Sequence, residues 1–231
     1  MNRVDHQVGF ILKSQSFKET SVIHQVFTQD YGVLSMISKG SRAKKSKYGS
    51  LLQPFKLLSL SWVGKGELKT LTTADESSSI GQLTGTSLYC GFYINELIIN
   101  LLHKHDAHPN LFNAFKNITI QLFKGEYIEA NLRQFEKVLL DEIGYGLVLE
   151  HEVGSNSPLQ SDQYYAYSIG SGPMIEKNTH HPLAILGSTL LNLNNNSLRK
   201  STELKQAKRL MRRLIDHQLD GKILKSRELF V

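Results

Sequence analysis

The sequence has 231 residues, a hydrophobic fraction of 40% and a formal net charge of +6. This length allows one large domain or two small ones, and no apolar stretch is long enough to span a membrane. Cys90 is the only cysteine, which excludes an intramolecular disulfide and a four-cysteine zinc site and favours the reducing cytoplasm. The basic excess favours an anionic partner, nucleic acid above all.

Short runs of alternating apolar and polar side chains, bounded by turn residues, occupy residues 1–80. Alternation with a period of two is typical of half-buried strands. The pattern predicts strands at residues 8–12, 21–28, 33–39, 53–63 and 67–74. Five short strands joined by hairpins favour an OB-fold β-barrel, and an SH3-like barrel fits the periodicity almost as well.

A basic loop lies between the third and fourth predicted strands, at residues 39–48. It contains five positive residues and no acidic one: Lys39, Arg42, Lys44, Lys45 and Lys47. Such a loop can follow a phosphate backbone, and Tyr48 at its end is available to stack on a base. The alternative is an ordinary solvated loop, which is the usual explanation of a charge run.

Residues 81–231 predict a mostly α-helical domain, which makes the whole chain an α+β protein. Helices are expected at residues 88–103, 111–124 and 131–143. In the third helix Asn131 and Gln134 suit an N-terminal cap, and Gly144 suits the left-handed position after the last turn. Its expected core stripe is Leu132, Phe135, Leu139, Leu140 and Ile143, and its expected solvent face is Arg133, Lys137, Asp141 and Glu142.

The remainder of the domain contains a hairpin and a basic helix. Residues 147–180 are expected to form a small insertion, with strands at 164–169 and 173–176, and Pro182 to begin a short apolar helix. Residues 201–219 predict the last helix. Its basic side and the segment after it supply the remaining candidate DNA contacts: Lys205, Lys208, Arg209, Arg212, Arg213, Lys222, Lys225 and Arg227. The alternative is a solvated helix flank whose long side chains cover apolar surface.

No catalytic motif is recognisable, since the sequence has no Walker loop, no Gly-x-Ser-x-Gly elbow and no paired-carboxylate motif. His103, His105 and His108 lie near Asp106, but at a helix end rather than on one helical face. An ordinary polar loop therefore explains them better than a metal site. We expect no enzymatic activity, no metal and no cofactor.

Several motifs, in this order, resemble the RecO family of bacterial recombination mediators. Each motif is weak alone, but together they run from the first strand to the last residues. They include Ser38-Lys39-Gly40, Gln53-Pro54-Phe55, Asn95-Glu96-Leu97, Leu132-Arg133 with Phe135-Glu136, Gly144-Tyr145-Gly146, Ala207-Lys208-Arg209 and Leu224-Lys225-Ser226-Arg227-Glu228-Leu229-Phe230.

The resemblance implies an N-terminal OB fold at residues 1–80 and a helical domain at 81–231. It also implies a protein that binds single- and double-stranded DNA, anneals complementary strands and, with RecR, loads RecA onto strands coated by single-strand binding protein (SSB). The expected protein is cytoplasmic, associated with the nucleoid and monomeric when free. Some members carry a four-cysteine zinc module after the Gly-Tyr-Gly motif, but this sequence has no cysteine there.

In similar proteins the acidic, Phe-ended tail of SSB docks on the helical domain. The resemblance implies that the arginine of the family's Leu-Arg-x-Phe-Glu motif, here Arg133, binds the terminal carboxylate of this tail, because a carboxylate favours a guanidinium. Phe112, Phe115 and Leu140 are the expected groove walls. Two other hypotheses stay open, namely a generic RNA- or DNA-binding barrel and a nuclease with an unrecognised site.

Overall fold

The structure is a computed structural model that describes residues 2–43, 46 and 48–230. Lys44, Lys45 and Lys47 of the basic loop lie outside the described residues. The strands are β1 (Arg3–Phe17), β2 (Ser21–Thr28), β3 (Gly32–Ser38), β4 (Leu57–Val63), β5 (Leu68–Ser78), β6 (Tyr164–Ser168), β7 (Gly172–Ile175) and β8 (Ala184–Leu186). The α-helices are α1 (Gly85–Leu101), α2 (Pro109–Lys124), α3 (Ile128–Glu142), α4 (Gly187–Asn194) and α5 (Ser201–Leu219), and a 3₁₀ helix spans Lys225–Phe230.

The first five strands form a closed barrel in the order β1-β2-β3-β5-β4. Strand β1 is long enough to pair with β2 and with β4, and a register shift between Ile11 and Lys13 bends it. The β3–β5 pair is parallel, and the other pairs are antiparallel. This closed five-stranded arrangement confirms the predicted OB-type barrel within an α+β fold.

Alternation along the strands directs one set of apolar side chains into the barrel. The buried cluster is Ile11, Val26, Leu34, Met36, Leu52, Leu58, Leu60, Trp62 and Ala74. On the outside of the barrel Phe10 and Phe27 pack against Phe112 and Phe115 of α2, with ring centroids 5.1–5.8 Å apart. Helix α2 therefore packs directly on the barrel wall.

The chain forms two compact units. The first unit contains residues 1–126 and 224–231, and the second contains residues 127–223. The carboxylate of Glu96 on α1 accepts hydrogen bonds from the backbone amides of Lys225 and Ser226, both at 2.9 Å, which fixes the 3₁₀ helix to the first unit. The first unit therefore joins α1, α2 and the 3₁₀ helix to the barrel, and the domain boundary near residue 80 stays a prediction.

The second unit packs α3 and α4 against α5 beside a three-stranded sheet in the order β7-β6-β8. Strands β6 and β7 confirm the predicted hairpin. The prediction that Pro182 begins a short helix was wrong in detail. The chain instead forms β8, which pairs with β6 through residues 184–186, and only then enters α4 at Gly187.

Helix α3 begins earlier than its sequence signals indicate. Tyr127, in the left-handed conformation with φ +49°, precedes the first helical residue, Ile128. The predicted Asn131 cap is therefore wrong, because the Asn131 backbone amide already donates a helical hydrogen bond to the Tyr127 carbonyl at 3.0 Å. The predicted end is confirmed, since Gly144 has φ +85°.

The predicted solvent face of α3 is partly wrong. Arg133 is buried, and its guanidinium lies 2.5 Å from a Glu136 carboxylate oxygen. Lys137 donates hydrogen bonds to the carbonyls of Leu193 and Asn194, at 3.1 and 2.6 Å, at the C-terminal end of α4. Burial lowers the pKa of Lys137. Both side chains therefore have partners within the second unit instead of pointing only into solvent.

Candidate nucleic-acid interface

The described part of the basic loop leaves two cations at the surface. Lys39 and Arg42 are exposed, and the Arg42 backbone amide donates a 3.0 Å hydrogen bond to the Thr20 carbonyl. Tyr48 is partly buried against the barrel core, and its hydroxyl donates to the Thr72 carbonyl at 3.2 Å. The Tyr48 ring therefore anchors the loop, which argues against the expected stacking role.

A buried polar network supports the start of this loop. The His24 ring lies between two serine hydroxyls, with Nδ1 2.8 Å from Ser14 Oγ and Nε2 2.8 Å from Ser38 Oγ. The Ser41 hydroxyl, inside the loop, donates to the Ser38 carbonyl at 3.0 Å. A neutral imidazole can donate at one nitrogen and accept at the other, so it suits two hydroxyl partners.

Burial lowers the pKa of His24 from 6.5 to about 4. Between these values the unfolded chain binds a proton that the folded chain does not, so acid favours the unfolded state. We expect the free energy of unfolding to fall by up to about 3 kcal/mol as the pH decreases through this range. Urea denaturation at pH 4.5, 5.5 and 7 measures the change. The His24→Gln variant should lack this component, and an equal pH dependence in both proteins would contradict the assignment.

Helix α5 presents the most extended basic surface among the described residues. Its buried side includes Leu210, Met211 and Leu214, and positions three to four residues apart on the opposite side are basic. Lys205, Lys208, Arg209 and Arg212 are exposed there, and Arg213 at the edge is half-buried. Cations at this spacing can contact successive phosphates on one side of a helix.

Two of these cations form only weak pairs. Lys208 Nζ lies 3.9 Å from Glu129 Oε1, and Arg212 Nε lies 4.0 Å from Asp216 Oδ2. Both pairs are exposed, so each contributes about 1 kcal/mol or less and can be exchanged for a phosphate. Arg209 differs, because its guanidinium donates a 2.5 Å hydrogen bond to the Ala184 carbonyl of β8. Lys208 and Arg212 are therefore the stronger candidates for phosphate contact.

The other predicted basic residues are divided between the two units. Lys222 follows α5 and belongs to the second unit, whereas Lys225 and Arg227 belong to the 3₁₀ helix of the first unit. Lys222 and Lys225 are exposed, and Arg227 is half-buried. The basic residues after α5 are therefore divided between the two units at residues 223 and 224.

The residues expected to bind the SSB tail are all buried. Phe112 and Phe115 fill the interface between α2 and the barrel, and Leu140 has almost no exposed surface. All three side chains are buried in this structure, and their role as groove walls stays a prediction. Arg133 is 5% exposed and interacts with Glu136.

The part of the outer face of β1, β2 and β3 that α2 does not cover is a candidate surface that sequence reasoning did not single out. The register aligns Lys13, Gln25 and Ser35 across three strands. At the β1–β2 turn the exposed Phe17 ring lies 5.5 Å from Lys18 Nζ. This is the strand 2–3 face that OB folds use for oligonucleotides. The alternation of side chains in β2 could have indicated that the strand has an outer face. It could not have indicated which part of the barrel α2 covers.

The histidines near residue 105 make ordinary surface contacts. His105 Nε2 lies 3.0 Å from Glu67 Oε2, and this hydrogen bond lowers the pKa of Glu67. His108 Nε2 lies 3.5 Å from Asp106 Oδ2. Within residues 2–43, 46 and 48–230 no group of three or more histidine, cysteine, aspartate or glutamate residues could hold a metal ion. Within the same residues no helix is long and apolar enough to cross a membrane.

Comparison with known proteins gives matches along nearly the whole chain. The family model for the N-terminal part of recombination protein O matches residues 1–79, and the model for its C-terminal part matches residues 82–228. A DNA repair protein RecO from Dechloromonas aromatica is 38% identical over 233 residues, which cover 99% of this chain and 96% of the relative. The RecO protein of Methylococcus capsulatus is 41% identical over 228 residues, covering 98% and 92%.

Proposed function

The chain belongs to the RecO family of DNA repair proteins, and we propose that it binds single- and double-stranded DNA and anneals complementary strands. It also acts with RecR to load RecA onto SSB-coated strands, and it does so in the cytoplasm without catalysing a covalent reaction. The observation that most directly supports DNA binding is the exposed basic side of α5, where Lys208 and Arg212 form only weak ion pairs.

The proposed mechanism is electrostatic. Lysine and arginine side chains on α5 and at the start of the basic loop neutralise phosphates, and neutralised strands can approach closely enough to pair. Because the contacts are to phosphates, the bases remain available and sequence preference should be slight. Full-length similarity to RecO proteins favours this function over that of a generic nucleic-acid-binding barrel.

The double variant Lys208→Gln/Arg212→Gln is expected to weaken binding to single strands and to duplexes roughly tenfold or more at low salt. The slope of log affinity against log salt should decrease in magnitude by about one for each phosphate that the variant no longer neutralises. Fluorescence anisotropy over a salt series measures both quantities. Arg209 is left intact, because its hydrogen bond to Ala184 would confound the result.

The matched control is Lys104→Gln/Lys177→Gln, which removes the same charge from two other exposed lysines. It should change affinity much less than the α5 variant does. Equal effects of the two variants would mean that net charge matters and the α5 surface does not. Cleavage of labelled strands in the presence of magnesium would instead favour a nuclease.

The SSB tail is the proposed protein partner, and the family motif assigns Arg133 to its recognition. Direct contact would require the buried Arg133 guanidinium to exchange Glu136 for the tail carboxylate. Both side chains are almost fully buried, at 7% and 1% exposed, which favours an indirect role instead, in which the pair keeps the buried side of α3 folded.

A further inference from the structure

Tyr127 is the most exposed aromatic side chain of the described second unit. It lies just before α3 and is 66% exposed. The Arg199 guanidinium carbon lies 4.9 Å from the centroid of its ring. Such a cation–π contact restricts the orientation of an aromatic ring. The high exposure means that much of the ring remains accessible to solvent although Arg199 stacks on it.

Tyr127 is connected to α5 through two contacts, one made by its own ring and one by a neighbouring residue of α3. Glu129, two residues after Tyr127, is the side chain paired with Lys208 at 3.9 Å. Arg199 is two residues before the start of α5. The exposed ring, the guanidinium stacked on it and Lys208 therefore belong to one compact unit and are linked through the start of α3 and the segment before α5.

Proteins that bind single strands combine two features, which are cations that contact the backbone and aromatic rings on which bases stack. We propose that Tyr127 is a base-stacking residue for single-stranded DNA, held in orientation by Arg199 while Lys208 neutralises a neighbouring phosphate. This inference rests on the proposed function of α5. The bases of a duplex already stack on one another, so the ring favours single strands and adds nothing for duplexes.

The test uses the full chain and the variant Tyr127→Asn. Asparagine tolerates positive φ better than most residues, so the backbone before α3 is retained while the ring is removed. Tyr127→Phe keeps the stacking surface. Tyr145→Asn removes another exposed aromatic residue of the same unit and serves as the matched control.

Binding is measured to a thymine oligonucleotide, to an abasic strand with the same number of phosphates and to a hairpin duplex. Tyr127→Asn should weaken binding to the thymine strand by about 5- to 100-fold, the effect expected for one base–aromatic stack. Binding to the abasic strand and to the duplex should change less than twofold. Tyr127→Phe and Tyr145→Asn should bind the thymine strand as wild type does.

An unchanged affinity of Tyr127→Asn for the thymine strand would overturn the stacking inference. Equal losses on the thymine and abasic strands would also overturn it, because they would indicate an effect on charge or folding. The variant Lys208→Gln/Arg212→Gln separates this failure from failure of the proposed function. If that variant loses binding to all three ligands while Tyr127→Asn loses none, α5 still contacts phosphates and only the stacking role is wrong.

Discussion

Replacing Arg133 with alanine is expected to destabilise the second unit by about 3–5 kcal/mol, the usual cost of removing one partner from a buried ion pair. The side chains of Arg133 and Glu136 are 7% and 1% exposed, and their charged atoms lie 2.5 Å apart. The alanine variant leaves a buried carboxylate without the positive charge that Arg133 supplied. Urea denaturation followed by circular dichroism measures the loss, and a change below about 1 kcal/mol would contradict the prediction.

The control is the double variant Arg133→Met/Glu136→Leu, which replaces both charges with apolar side chains of similar size. Such replacements are generally less destabilising than removing one partner, because they do not leave one member of the pair as a lone buried charge. This variant therefore also tests the partner site. If it folds normally and still binds an acidic peptide ending in phenylalanine, Arg133 does not contact the tail. If it folds normally but no longer binds the peptide, direct contact by Arg133 is favoured over a positioning role.

The substitution Gly32→Ala is expected to destabilise the first unit by roughly 2–5 kcal/mol. Gly32 has φ +62°, and a β-carbon there would lie 1.9 Å from the Asp106 carbonyl oxygen. The left-handed conformation costs a non-glycine residue about 1–2 kcal/mol, and overpacking costs about 1–3 kcal/mol more. The neighbouring Val33 carbonyl accepts a 2.9 Å hydrogen bond from the His105 amide, so the loop after α1 cannot move away freely.

Gly40→Ala is the matched control for this effect. Gly40 has φ +70°, but a β-carbon there meets no atom of the described residues within 4 Å. Only the conformational cost should appear, about 1–2 kcal/mol. Thermal and urea denaturation of both variants compare the two costs. Equal decreases in the free energy of unfolding of the two variants would show that the contact between the new β-carbon and Asp106 is unimportant.

Local patterns were sufficient to predict the existence of the five barrel strands and of most helices, though not every boundary. Alternation along β2 placed Val22, His24 and Val26 on one face, and the structure buries His24 on that face. The alternation could not identify the hydrogen-bond partners of His24, because Ser14 and Ser38 come from two other strands. The register between strands depends on pairing across the barrel, which a single strand does not encode.

The same limit explains the misplaced face of α3. Helical periodicity separated an apolar stripe from charged positions, and it assigned Arg133 and Lys137 to solvent. Arg133 is instead paired with Glu136 inside the protein, and Lys137 reaches carbonyls of α4 that are 56 and 57 residues away. The partners of Lys137 are distant in the sequence and leave no mark on local periodicity, whereas Glu136 is only three residues from Arg133, and what the sequence did not reveal is that this pair is buried.

The sequence revealed only part of the candidate DNA surface, because local spacing shows which residues share a helix side but not their distant contacts. The cations of α5 follow helical spacing, so their common side was visible in the sequence. Two contacts were not visible in the sequence, because each joins segments that only folding brings together. They are the hydrogen bond from Arg209 to Ala184 and the stacking of Arg199 on Tyr127. The contacts within the second unit therefore show which cations are available.

Annealing of complementary strands coated by SSB tests the central claim most directly. The wild-type chain and Lys208→Gln/Arg212→Gln are compared at equal concentration, with Lys104→Gln/Lys177→Gln as the control. We expect the wild type and the control to accelerate annealing and the α5 variant to lose most of this acceleration, because phosphate neutralisation on α5 brings the strands together. If the wild type does not accelerate annealing, or if all three proteins accelerate it equally, phosphate neutralisation by α5 is not what brings the strands together.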